Sequence, residues 1–100
     1  MEIEELTRLM HQFVQDKGWY EEDSIHPQTP RNLAISLTLE AAEILELYQW
    51  EKKAVDLEAL ESEVADVMLY LLQLASLQGI DIVKAVEKKL RTNYDRDWSK

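Results

Sequence analysis

Residues 33–50 read LAISLTLEAAEILELYQW, and residues 60–77 read LESEVADVMLYLLQLASL. Apolar residues recur in both stretches at the three- and four-residue spacing of an amphipathic helix. In the first stretch they are Leu33, Leu37, Ile44 and Leu47, and in the second they are Leu60, Val64, Val67, Leu71 and Leu74. The two patterns predict a pair of α-helices joined by a turn at residues 51–55.

Four carboxylates lie on or beside these apolar stripes: Glu40, Glu43, Glu63 and Asp66. In an antiparallel hairpin that turns near Lys53, Glu40 is level with Asp66 and Glu43 with Glu63. Each carboxylate is then roughly 15–20 Å from the turn, at about 1.5 Å per residue. Desolvated like charges need cations to remain ionised, and oxygen-only ligands select Mg²⁺, Mn²⁺ or Ca²⁺ over zinc. The spacing predicts a metal site, whereas the alternative is four solvated surface residues.

The segment EAAE at 40–43 is followed, after nineteen residues, by EVAD at 63–66. This pattern resembles the E-x-x-E and E-x-x-D signature of the MazG-like all-α nucleoside triphosphate pyrophosphohydrolases. The flanking segments TPRNL (29–33) and ELYQW (46–50) are similar to those of the dCTP pyrophosphatase branch. The resemblance implies Mg²⁺-dependent (or Mn²⁺-dependent) hydrolysis of nucleoside triphosphates to the monophosphate and pyrophosphate, in nucleotide-pool house-cleaning. It points to pyrimidine or modified deoxynucleotides such as dCTP.

A basic segment near the C-terminus supplies candidate phosphate ligands. Lys89, Asn93 and Arg96 fit K-x3-N-x2-R, which resembles the tail of the same branch. Basic side chains beside a metal site neutralise the charge of a triphosphate. The alternative is a solvated basic turn that complements the helix dipole. The match ends at Asp97 and Trp98, because the family usually has a tyrosine directly after that arginine.

Three aromatic side chains are candidates for nucleotide binding. Trp50 follows Gln49 about two turns after Glu43, where an indole could stack on a base. Trp19 and His26 lie in a polar connection from Trp19 to Gln28, within reach of a base or of phosphates. For each tryptophan the alternative is ordinary packing with a satisfied indole N–H. The remaining histidine, at position 11, is expected to have no special role.

The composition limits the possible classes of protein. One hundred residues predict a single domain over residues 1–100, and two glycines and two prolines favour long helices over many short strands. A net charge of −9 disfavours nucleic-acid binding. No stretch of about 18 apolar residues occurs, which predicts no membrane segment. The lack of cysteine is compatible with a cytoplasmic protein.

Two further helices flank the hairpin and complete a predicted four-helix, all-α bundle. Start and stop signals delimit four helices. The first runs over Glu2–Lys17 and stops at Gly18, and the second begins at Thr29-Pro30 and runs to about Trp50. Asp56 caps the third, which runs to Leu77 before Gly79, and Asp81 caps the fourth, from Ile82 to about Asn93.

The third helix predicts self-association, because it is apolar around most of its circumference and must be buried on most sides. A partner copy would bury it, which predicts a homodimer or homotetramer, with Leu69 and Leu72 on the side facing away from the carboxylates. A different reading of the chain is a non-catalytic acidic helical module that dimerises and binds a protein partner.

Overall fold

The computed structural model of the chain describes residues 1–50, 52 and 56–98. Within these residues the chain forms four α-helices and no strand: α1 (Ile3–Asp16), α2 (Pro30–Glu46), α3 (Leu57–Leu77) and α4 (Ile82–Asp95). The prediction of a four-helix, all-α chain is confirmed. Except for Lys52, the predicted turn at residues 51–55 lies outside the described residues.

The helices begin where the capping residues predict. Thr29 accepts a hydrogen bond from the backbone N–H of Asn32 at 3.1 Å, and Asp81 accepts one from that of Lys84 at 3.1 Å. Asp56 caps α3 in the same way. Each cap satisfies a backbone N–H group that has no partner inside its helix.

Glycine residues follow α1 and α3 closely. Gly18 has φ of 73° and Gly79 has φ of 69°, in the left-handed region that side chains with a Cβ disfavour. These conformations turn the chain away from each helix axis, as the positions of the two glycines predict.

The end of α2 was predicted four residues too late, at Trp50 instead of Glu46. The backbone N–H groups of Leu47 and Tyr48 bond to carbonyl oxygens only three residues back, at 3.1 and 3.0 Å. This tighter winding ends the regular helix. By contrast, α4 ends at Asp95, two residues after the predicted end at Asn93.

The core is built on α3, which packs along α2 and, on another side, against α1. Met10 and Val14 from α1 pack with Leu72, whose side chain is only 1% exposed. The prediction that a partner copy covers Leu72 was therefore wrong. It fails because α1 already covers the side of α3 that was assigned to a partner copy.

The fourth helix contributes no buried residue within this chain. The radius of gyration is 16.2 Å, and the molecule extends 50 × 36 × 28 Å. A compact domain of 100 residues has a radius of gyration of about 13 Å. The single chain is thus elongated and leaves apolar side chains of α3 and α4 exposed.

Among the described residues, no single helix is both long enough and apolar enough to span a membrane. The α3 and α4 pair meets that test of length and composition only when the two are joined across a bend of 102°.

Replacing Leu72 by alanine should reduce the free energy of unfolding by about 2–5 kcal/mol, because it leaves a cavity between α1 and α3. Chemical denaturation measures this loss. Leu57→Ala is the matched control, since Leu57 is 74% exposed and its truncation removes little buried area. Equal losses in both variants would contradict the assignment of Leu72 to the core.

Candidate active site

Three glutamates converge where α2 meets α3. Glu40 and Glu43 are three residues apart on α2, so they share a helix face, and Glu63 approaches from α3. One carboxylate oxygen from each lies within 4.8 Å of the others. Glu40 and Glu63 are half-buried, whereas Glu43 is exposed at the edge of the group. We call Glu40, Glu43 and Glu63 the carboxylate cluster.

The two half-buried members of the cluster have unsatisfied oxygens. Oε2 of Glu40 and Oε2 of Glu63 are buried and receive no hydrogen bond from the described residues. An unpaired buried carboxylate oxygen is costly, because it has lost water without gaining a donor. Hard oxygen ligands from several carboxylates are the donor set that Mg²⁺ and Mn²⁺ prefer. The cluster therefore fits a divalent cation.

The crowding changes the acidity of Glu40. The adjacent carboxyl of Glu63 raises the pKa of Glu40, because a hydrogen bond between the two carboxyls requires a proton on one of them. Burial adds to this effect, and so does the nearby carboxylate of Glu43. Together these causes raise the pKa of Glu40 to about 7. Near neutral pH, the cluster without a cation therefore tends to hold a proton.

Asp66, the fourth predicted metal ligand, lies three residues after Glu63 on α3. It is half-buried and lines the same cavity as Glu40. Among the described residues, however, the group that converges within 4.8 Å consists of the three glutamates. Asp66 is thus next to the cluster and faces the space where a ligand would enter.

A cavity of about 810 Å³ opens beside Glu40 and Asp66. Trp19 and His26, both predicted to bind substrate, line this cavity, and their rings meet edge to face with centroids 5.6 Å apart. The volume falls within the range of small-molecule sites. The structure thus brings two predicted aromatic residues together with two predicted carboxylates.

Leu69 also lines this cavity, so the prediction that it lies away from the carboxylates was wrong. The cavity has further polar residues that were not predicted as site residues: Gln28, Asn32, Ser36, Tyr70 and Gln73. Positions 63, 66, 70 and 73 form a three- and four-residue series along one face of α3. The other residues between 63 and 73 are apolar, so this polar stripe is the sequence signal that could have identified Tyr70 and Gln73.

The other predicted substrate ligands lie elsewhere in the chain. Trp50 is 86% exposed and follows the end of α2. Lys89 is exposed on α4, and Asn93 is half-buried with an Oδ1 atom that lacks a hydrogen-bond partner among the described residues. The guanidinium of Arg96 lies 4.2 Å from the ring centre of Trp98. Within the described chain, these four residues are not part of the cavity lining.

The sequence from 28 to 97 matches the model of the MazG nucleotide pyrophosphohydrolase domain. The chain belongs to this family. The match covers α2, α3 and α4, and it therefore includes the whole carboxylate cluster.

Several known proteins resemble the chain over nearly its full length. A pyrophosphatase from Archaeoglobus fulgidus, known from a crystal structure, is 35% identical, with a TM-score of 0.76 over 97% of this chain and 92% of that one. The dCTP pyrophosphatases 1 of Rattus norvegicus and Homo sapiens are 33% and 31% identical over 94% of this chain. The chain spans 58% of the length of these two curated relatives.

The pKa of Glu40 predicts how stability depends on pH without divalent cations. Between pH 4.5 and about 7, folded Glu40 keeps a proton that the unfolded chain releases. Raising the pH through this window should therefore destabilise the fold. Glu40→Gln cannot ionise, so its melting temperature relative to wild type should increase as the pH rises.

Thermal melts in a metal chelator at several pH values measure this difference. Glu46→Gln is the control, because Glu46 is an exposed glutamate on the same helix and lies outside the cluster. A constant difference between wild type and Glu40→Gln across the window would contradict the shared-proton account of the cluster.

Proposed function

We propose that this domain hydrolyses nucleoside triphosphates to the monophosphate and pyrophosphate, with Mg²⁺ (or Mn²⁺) held by Glu40, Glu43 and Glu63. The observation that carries the proposal is the convergence of three carboxylates with two orphaned, buried oxygens beside a cavity of nucleotide size. Asp66 is proposed as a fourth ligand from the edge of that cavity. Family membership supports the same reaction class.

The cation would supply Lewis-acid neutralisation of the triphosphate charge. The protein residues then divide the remaining work. Glu43 is the exposed member of the cluster, so water reaches its carboxylate most directly. We assign Glu43 as the acceptor of the proton from the attacking water. The water oxygen bonds to the α-phosphorus as the bond from that phosphorus to the α–β bridging oxygen breaks, and pyrophosphate leaves with the bridging oxygen.

Base recognition is proposed for the cavity wall. Trp19 is half-buried there and presents an aromatic surface beside His26. The similarity to curated relatives named dCTP pyrophosphatase 1 supports a pyrimidine deoxynucleotide as the substrate of this domain. A dATP/dGTP diphosphohydrolase of Cyanophage S-2L is 45% identical, but over only 38% of this chain and 36% of its own. We therefore propose dCTP or a modified pyrimidine deoxynucleotide.

Trp50, Lys89, Asn93 and Arg96 remain predicted substrate ligands. Within one chain they lie outside the cavity lining, and we propose that a second copy brings them to it. Trp50 would stack on the base, and Lys89 and Arg96 would neutralise phosphate oxygens.

We propose that the chain forms a homodimer or homotetramer. Val83, Val86 and Leu90 form an apolar stripe on α4, and each is about half exposed. On α3, Val64, Met68 and Leu71 are also exposed. A second copy covering these side chains would give the elongated chain the compactness that it lacks alone.

Glu63→Gln should abolish most of the pyrophosphate release, because it removes a charged ligand from the cluster while it keeps the side-chain shape. Mg²⁺ should raise the melting temperature of wild type and have a much smaller effect on this variant, since a ligand that binds only the folded state stabilises it. The assay is pyrophosphate release over the common and modified nucleoside triphosphates.

Glu61→Gln is the matched control for this experiment, because it removes the same charge from an exposed site on the same helix. Wild-type activity and a wild-type Mg²⁺ response in Glu63→Gln would refute the assignment of the cluster. A wild-type protein that is stabilised by no divalent cation and cleaves no nucleotide would instead favour the non-catalytic reading of the chain.

Val86→Glu should dissociate the proposed assembly, because it places a charge in the apolar stripe of α4. Sedimentation velocity measures the change in mass. Lys88→Glu is the control, since it adds negative charge to the same helix at an exposed position outside the stripe. A monomeric wild-type protein would refute the proposed assembly directly.

A further inference from the structure

The connection between α1 and α2 forms one wall of the cavity. Five of its residues line the cavity: Trp19, Ile25, His26, Pro27 and Gln28. Glu40 of α2 and Asp66 of α3 also line it. Residues 25–28 belong to no helix and take part in none of the backbone–backbone hydrogen bonds of the described loops and caps. Side-chain hydrogen bonds therefore contribute to the shape of this wall, one of them from Nδ2 of Asn32 on α2 to the backbone carbonyl of Pro27 at 3.0 Å.

Gln73 of α3 supplies the central bonds. Gln73 is 3% exposed, and among the described residues it is the only polar residue that is buried. Nε2 donates to Oε1 of Gln28 at 2.9 Å and to the hydroxyl of Tyr20 at 3.2 Å. Both acceptors belong to the connection. A buried amide without partners is costly, so Gln73 ties both ends of the wall to α3.

The direction of each bond follows from the chemistry. Nε2 of Gln28 donates to the backbone carbonyl of His26 at 2.7 Å, and a carbonyl oxygen can only accept. Oε1 of Gln28 must then face Gln73, so Gln73 must offer its amino group. Tyr20 accepts from that amino group and keeps its own proton for another partner. A residue without an N–H donor at position 73 can make neither bond, so it interrupts the hydrogen-bond network at its centre.

The Tyr20 hydroxyl also contacts α1. It lies 2.6 Å from Nδ1 of His11, and Nε2 of His11 lies 2.7 Å from Oγ of Ser76. The tautomer of His11 sets which atom donates in each of these two hydrogen bonds. The hydrogen-bond chain thus leaves α3 at Gln73 and returns to it one turn later. His11 was expected to have no special role, but it links α1 to Tyr20 of the connection and to Ser76 of α3.

We propose that Gln73 is a positioning residue for nucleotide binding, which holds the connection between α1 and α2 in place as a preformed wall of the cavity. This inference rests on the proposed function, because it assumes that a nucleotide occupies the cavity. Gln73 belongs to the cavity lining but not to the carboxylate cluster. Its loss should therefore weaken nucleotide binding and leave the hydrolytic step unchanged.

Gln73→Met tests the proposal, because methionine has a similar length and is uncharged but has no N–H donor. The KM for the preferred nucleotide should rise about tenfold, which corresponds to about 1.4 kcal/mol, while kcat stays within about twofold. Gln12→Met is the matched control. Gln12 is exposed on α1, where its amide donates to Asp16 at 2.8 Å. The KM of the Gln12→Met variant should equal that of wild type.

A double-mutant cycle tests whether Gln73 acts through the connection. Gln28→Met should raise KM as well, and the double variant should be little worse than either single one, because both remove the same link. Amide hydrogen exchange at residues 19–29 should be faster in Gln73→Met than in wild type. Strictly additive effects on KM, an unchanged KM, or a fall in kcat at constant KM would overturn the proposal.

The outcomes separate this inference from the proposed function. If wild type cleaves and binds no nucleoside triphosphate, the proposed function fails, and nucleotide positioning fails with it. If wild type is active but exchange at residues 19–29 is the same in Gln73→Met and wild type, the proposed function stands and the role of Gln73 is refuted.

Discussion

Repulsion among carboxylates packed between two helices is the constraint on which the rest of this structure depends. The contact between α2 and α3 is the most extensive in the chain, and the same contact places Glu40 beside Glu63. Hydrophobic burial along the hairpin therefore supplies the free energy that holds like charges together. A shared proton relieves the repulsion at low pH, and a cation would relieve it at higher pH. Stability and the proposed chemistry are coupled at this one contact.

The chain separates the cluster from the surface that would select a ligand. The glutamates lie on rigid helices, whereas Trp19 and His26 lie on an irregular connection held by side-chain bonds. Helices suit a cluster whose geometry must be maintained against repulsion, and connections can vary without disturbing it. Differences between relatives that act on different nucleotides are therefore expected in the connection rather than in α2 or α3.

The helices and the cluster could be predicted from the sequence because both follow from short-range spacing. The caps Thr29, Asp56 and Asp81 depend on local chemistry, and helix rise predicts that carboxylates of α2 and α3 meet. The structure groups Glu63 with both Glu43 and Glu40, whereas the predicted partner of Glu40 was Asp66. The prediction that a partner copy covers Leu72 was wrong, because the spacing within α3 does not say which side of the helix α1 covers. The bonds of Gln73 were also beyond such reasoning, since they join residues 45 and 53 positions apart.

The polar stripe of α3 explains why this helix is both the core and the floor of the proposed site. Glu63, Asp66, Tyr70 and Gln73 follow one face, and along this face the side chains change from carboxylates to a phenol and then an amide. The carboxylate end suits cations and phosphates, which need charge, whereas the amide end suits uncharged hydrogen-bond partners. A nucleotide has the same polarity, with a charged phosphate chain at one end and an uncharged base at the other. The order of residues along α3 therefore supports one orientation of the proposed ligand, with the phosphates at the cluster and the base toward the connection that Gln73 holds in place.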